Sequence, residues 1–349
     1  AQRTSSAVGR RGPLVTSARQ WVLARSPGDR LSVEDFSLQE VTLPARPAGH
    51  VLCRPLWLSI DAAGRAWMQG RTYRDKVVPG DVMPGFGIAQ VVESDSPGLP
   101  AGTLVTGDVG WCDLVAVPAG ALQVLTPAAP LPRYLSVLGI TGLTAYFGLR
   151  DVGRARAGEC VVVSAAAGAT GNIVGQIAKR DGCRVVGICG SQDKMDWLTG
   201  DLGFDAAVSH RSPTLPADLK AACPAGIDVY FDNVGGPVLE AALGRMNLHG
   251  RIACCGAVSQ YDTTTPVPGP AGVPGLLVTR RITMEGFIVM DYADRYAEAL
   301  TALTGWLDDG TLRATEDILE GLESAPQGLV GLLAGDSVGK RIIHVADAD

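Results

Sequence analysis

The sequence predicts an α/β chain of two parts, a mostly-β domain and a doubly wound parallel-sheet domain. Three observations predict it. Over residues 21–137 short apolar runs are separated by turns such as Pro79-Gly80-Asp81 and Ser96-Pro97-Gly98, the punctuation of short strands. From about Ser136 onward apolar runs alternate with helical segments, which calls for parallel strands joined by right-handed crossovers. Between them in importance stands the run 161–175, where Val161-Val162-Val163 leads into a small-residue turn and then a helix. A chain of 349 residues favours two domains and buries enough surface to fold without disulfide or metal staples.

Taken in order, residues 1–18 are rich in Arg and Ser and no acid precedes Asp29. They are expected to form a disordered tail; an organelle transit peptide shares the bias, but no apolar signal region is present. Strands are expected at 51–60, 87–92 and 112–117. In the second part the expected strands are 159–164, 183–188, 206–209, 228–232, 251–255 and 282–289. The helices among them are 171–180, 194–201, 238–246 and 295–307. A last strand is expected at 341–345, where the chain returns to its first domain. The domains are thus 19–137 with 308–349, and 138–307.

Composition narrows the function classes. A net charge of −6 argues against a nucleic-acid surface. No run approaches the roughly 20 apolar residues of a membrane span. The eight cysteines are scattered without a CxxC pair, so they read as buried thiols of a reducing, cytoplasmic compartment.

Gly168, Gly171 and Gly175 are spaced so that backbone can approach a pyrophosphate and the helix can pack close to its strand. The helix N-terminus offers free N–H groups and a positive dipole end. Gly168, Ala169, Thr170, Gly171, Asn172 and Ile173 are therefore the expected phosphate-binding turn. A Gly-rich turn without a nucleotide is the alternative, and the strand–helix–strand context disfavours it. At the end of the second strand, Cys189-Gly190-Ser191-Gln192-Asp193-Lys194 places no acid where an NAD site would hold the ribose 2′-OH. Ser191 can donate to a 2′-phosphate and Lys194 can pair with it, so NADPH is expected over NADH. His210 and Arg211 can join the same anion site. The plainer reading of Lys194 is a solvated helix residue.

Catalytic zinc needs three protein ligands, typically Cys and His. His50, His210, His249 and His344 do not group with cysteines in that way, and no metal is expected. Without a Lewis acid, hydride addition to an activated C=C bond or a quinone is easier than oxidation of a simple alcohol.

Several strings carry a resemblance. They are Leu143-Thr144-Ala145-Tyr146-Phe147-Gly148-Leu149, the glycine turn, Tyr230-Phe231-Asp232-Asn233-Val234-Gly235-Gly236, and Cys255-Gly256-Ala257-Val258-Ser259-Gln260-Tyr261. On these, over about residues 21–345, the chain resembles the zinc-independent medium-chain dehydrogenase/reductases, in the prostaglandin reductase and alkenal double-bond reductase branch. The resemblance implies a GroES-like first domain, a Rossmann domain, a homodimer, and NADPH-dependent reduction of α,β-unsaturated aldehydes and ketones. It implies Lys194 and His210 at the 2′-phosphate, His210 standing where a Tyr is more usual. Asn233, Cys255, Gly256, Tyr261 and Phe287-Ile288-Val289 match the nicotinamide half, and Ser337 replaces a frequent Asn. Ala63, Tyr73, Phe86, Tyr261 and Met290 are the expected substrate pocket. Ala63-Gly64 replaces a bulkier pair, which suggests room for a ring-bearing enone. Tyr261 is the expected catalytic donor to the developing enolate, its alternative being a packing or cofactor-anchoring role. A quinone reductase, and a non-catalytic NADPH-binding regulatory or structural protein, are the competing readings.

Overall fold

The computed structural model describes residues 17–265 and 267–349, and residues 1–16 of the expected tail lie outside them. The first stretch contains β1 (Ser17–Leu23), β2 (Phe36–Thr42), β3 (His50–Ser59), α1 (Ala63–Gln69), β4 (Phe86–Glu93), β5 (Leu104–Asp108), β6 (Val115–Pro118) and β7 (Gln123–Val124). Next come α2 (Ile140–Phe147), β8 (Cys160–Ser164), α3 (Ala169–Arg180), β9 (Arg184–Cys189), α4 (Gln192–Gly200), β10 (Ala206–Ser209), α5 (Leu215–Ala222), β11 (Ile227–Asp232), α6 (Gly236–Leu243), β12 (Met246–Cys254), α7 (Val273–Arg280), β13 (Thr283–Gly286) and α8 (Tyr296–Asp308). The chain closes with β14 (Glu316–Glu320), α9 (Ala325–Ala334) and β15 (Lys340–His344).

Every pairing in the second stretch is parallel, and the strand order is β10-β9-β8-β11-β12-β13. Val161, Val162 and Val163 of β8 are fully buried, as a central strand covered on both faces must be. Helices α2, α3, α4 and α8 supply one face, and α5, α6 and α7 the other. The order reverses direction between β8 and β11, which leaves a crevice outside their carboxyl ends, where α/β sheets bind ligands. In the mostly-β half the order is β14-β15-β3-β4-β5-β7, with β6 on β3 and a separate β1–β2 ribbon. The chain's return is therefore structural: β15 pairs antiparallel with β3. The segment before it reaches the other half, where the Gly339 N–H donates to the Ala167 carbonyl at 2.8 Å.

Several expected boundaries are corrected. Ser17 and Ala18 are not tail but the start of β1, paired with Thr42 and Val41, and Ala18 is buried. The strand expected at 112–117 is only Val115–Pro118, because Cys112 makes a single bridge to Gln20. The helix expected to reach Met246 ends at Leu243, and Met246 opens β12 opposite Ile227. The strand expected at 282–289 shortens to four residues, since Val289 already starts a 3-10 turn. Helices α1, α2, α5, α7 and α9 stand outside the expected set; α5, α7 and α9 are short with proline in the first turn, a place where proline is tolerated because its missing N–H has no helical partner.

Candidate active site

The glycine turn follows β8 directly. A side chain at position 171 would bring its Cβ to 2.3 Å from the Ala165 carbonyl oxygen, so only glycine lets α3 start this close to the strand. Gly168 caps α3 in an extended conformation. The first-turn amides of Ala169, Thr170 and Gly171 have no carbonyl partner within the helix and face the crevice end with the positive dipole. Asn172 and Ile173 carry the turn into α3. The Asn172 N–H and side-chain amide both donate to Gly168, at 3.2 and 2.7 Å. The Asn172 and Ile173 side chains are buried, Ile173 within the core. They hold the turn from inside.

Beyond β9, four cation-forming or donor groups gather around Gly190. A Cβ there would lie 3.0 Å from His210 Nε2 and 3.7 Å from Arg211 Nε. Ser191 caps α4 without using its hydroxyl on the helix. Lys194 Nζ donates to the Gly335 carbonyl at 2.6 Å. Burial pulls the Lys194 ammonium below its usual value, Cys189 and Asp336 pull it up, and Arg211 and Arg341 repel it. His210 is lowered by burial, then by Arg211 and Lys194. Three basic side chains pressed together gain from a shared anion, the environment a 2′-phosphate supplies.

At the crevice, buried Asp232 accepts from Tyr230 Oη at 3.0 Å, Ser164 Oγ at 3.2 Å and the amides of Val234 and Gly235 at 3.1 and 2.9 Å. All four bonds end on Oδ1, which holds the turn after β11. Asn233 Nδ2 donates to the Ser164 carbonyl at 2.7 Å. The amides of Cys255 and Gly256 donate to the Asp232 carbonyl at 2.8 and 3.1 Å. Burial, then Asp232, pushes the Cys255 thiol up to about 12, so it stays a neutral wall. The Tyr261 hydroxyl accepts from the Ala257 N–H at 3.2 Å and lies over Gly256, 3.6 Å from where a Cβ would be. Its own proton remains available.

A family model described as the N-terminal domain of oxidoreductase matches residues 19–125, and one described as zinc-binding dehydrogenase matches 169–305. The chain is 40% identical over 336 residues to prostaglandin reductase 1 of Rattus norvegicus, covering 94% of this chain and 99% of that one. The chain belongs to the zinc-independent medium-chain dehydrogenase/reductases. NADPH-dependent curcumin reductase of Escherichia coli is 40% identical over 337 residues, 95% of this chain and 98% of that protein. CurA from Vibrio vulnificus, solved in complex with NADPH, superposes with a TM-score of 0.90 at 36% identity, over 94% of this chain and 99% of that one. The second family model's description notwithstanding, no three His, Cys, Asp or Glu side chains converge among the described residues.

Within this medium-chain reductase the expected positions divide. The glycine turn, the Gly190–Arg211 cluster, Asn233, Cys255, Gly256 and Tyr261 lie at carboxyl ends of the parallel strands. Ser337 is buried in the segment that bridges Gly168 through Gly339. Phe287 and Val289 are turned inward: the Phe287 ring packs edge-on to Phe231 and against Gly148, and Val289 is in the core. Only exposed Ile288 and Met290 leave side chains outside. Ala63 opens α1, and Tyr73 stands edge-on to Trp67 at 6.2 Å. Phe86 is exposed at the start of β4. Sequence reasoning passed over Ser164, Gln69 and Asp262. Ser164 could be read only from its place at the end of β8; Gln69 and Asp262 carry no local signal.

Proposed function

We propose that this chain reduces the C=C bond of α,β-unsaturated ketones and aldehydes with NADPH, and that ring-bearing enones are among its substrates. The residues present fit the cofactor: free first-turn amides for the pyrophosphate, no acid at the β9 end, and Lys194, His210 and Arg211 around Gly190. When bound, NADPH supplies the hydride that adds to the substrate's β-carbon. The observation that carries the reading is Tyr261, whose hydroxyl stands over Gly256 at the crevice with a free proton. It donates to the carbonyl oxygen as enolate charge develops, or delivers the proton to the α-carbon. Cys255 and Asn233 shape the floor; Ala63 is a small, half-buried side chain at the start of α1, and Gly64 lies against Leu329.

The exposed outer edge of β13, with Met284, Ile288 and Met290 uncovered, supports a homodimer, since unpaired strand edges invite pairing with a second copy. The eight free cysteines, buried or half-buried, suit a reducing cytoplasm. Following NADPH absorbance with a panel of small alkenals, ring-bearing enones, quinones and alcohols tests the activity. Turnover of enones including ring-bearing ones is expected. Turnover confined to quinones, or binding of NADPH without consumption of any acceptor, overturns it, and strict preference for small alkenals overturns the bulky-substrate part.

A further inference from the structure

The loop carrying Tyr261 follows β12 but is gripped from the other half of the molecule. Helix α1 begins at Ala63 and presents Arg65 and Gln69, one turn apart, to residues 260–264. The two N–H donors of the Gln69 amide meet two carbonyl oxygens: Nε2 lies 2.6 Å from that of Tyr261 and 2.8 Å from that of Thr263. Behind it Arg65, 2% exposed, donates through Nε to Asp262 Oδ1 at 3.0 Å and through its terminal nitrogen to the Gly28 carbonyl at 2.9 Å. Asp262 Oδ1 also accepts the Leu31 N–H at 2.7 Å, and Asp29 accepts the Thr264 N–H at 2.8 Å. The loop's own regular structure is one 3-10 turn, Val258–Gln260, too short to hold a side chain in place by itself. Among the described residues the Tyr261 hydroxyl has only the long bond from Ala257.

We propose that Gln69, backed by the Arg65–Asp262 ion pair, is a positioning residue: α1 sets the height of Tyr261 over the site through the tyrosine's main-chain carbonyl. This rests on the reading of Tyr261 as the donor in enone reduction. Its consequence is that the donor is in register only while the two halves are docked, so substrate-domain contact and proton supply are coupled.

Gln69 is exposed, so its variants fold. Gln69→Glu keeps the volume but turns an amide donor into an anionic acceptor facing two carbonyls; Gln69→Lys keeps donors. For Gln69→Glu, kcat for an enone is expected to fall about ten- to a hundredfold, as for a displaced catalytic group, with KM and the Kd for NADPH nearly unchanged. Gln69→Lys recovers most of kcat. Amide hydrogen exchange over 258–265 is expected to speed up in Gln69→Glu and in Asp262→Asn, but not in Gln69→Lys. An unchanged kcat in Gln69→Glu, or equal losses in the Glu and Lys variants, overturns the proposal. If the wild-type chain consumes no enone, the functional reading fails, and unaltered exchange in Gln69→Glu then separately overturns the tether.

Discussion

Lys194→Ala is expected to weaken NADPH binding about 30-fold and to leave NADH within about twofold. In the folded chain the Lys194 ammonium is partly desolvated, close to Arg211 and Arg341, and bonded to one neutral carbonyl, that of Gly335 at 2.6 Å. It is held in a poor environment for a cation until an anion arrives. A charge-assisted hydrogen bond contributes about 1.5–3 kcal/mol. His210 and Arg211 remain to share the 2′-phosphate, which places the loss near 2 kcal/mol, and about 1.4 kcal/mol is tenfold in Kd. The substitution also releases Gly335 and with it the segment that bridges Gly168 through Gly339. That second effect would weaken both cofactors alike, so NADH is the internal control. Fluorescence or calorimetric titrations with both cofactors, at one fixed salt concentration because the site is screened, read the difference. Equal losses for NADPH and NADH would refute the reasoning, as would a loss below about threefold for NADPH.

Tyr261→Phe should lower kcat by more than about tenfold, or 1.4 kcal/mol, with cofactor affinity retained; a smaller loss reduces the tyrosine to a packing role. Gly175→Ala should cost about 1–3 kcal/mol by overpacking, because its Cβ would lie 1.9 Å from the Phe204 ring; the melting temperature reads it, and Phe204→Leu should relieve it. His210 has a folded value below 6.5, lowered by burial, Arg211 and Lys194. The unfolded chain therefore takes up the proton first, and stability of the cofactor-free protein is lost as pH falls through 6.5 toward the folded value. Thermal unfolding over that window should show a steeper loss for wild type than for His210→Tyr, and parallel curves would sink the assignment.

Local patterns carried much of the fold. The unbroken Val161-Val162-Val163 run reported its surroundings because burial on both faces is written directly into residue order. The glycine turn was equally legible: position 171 must be glycine for a steric reason contained within seven residues. Boundaries were weaker. Val289 looked like more strand because a buried apolar residue is the same letter in a strand or in the turn after it.

The sequence by itself determined the cofactor class, since the missing acid after β9 and the presence of Lys194 are properties of one short string. It also determined, through the strings it shares with its relatives, the family. Only the tertiary structure decided what surrounds Tyr261. Gln69 and Tyr261 are 192 residues apart in the chain, and Arg65 and Asp262 are 197 apart. Contacts of that separation leave no periodicity and no spacing to read. They exist because two independently patterned halves dock, and it is the docking that brings a main-chain carbonyl within reach of an amide.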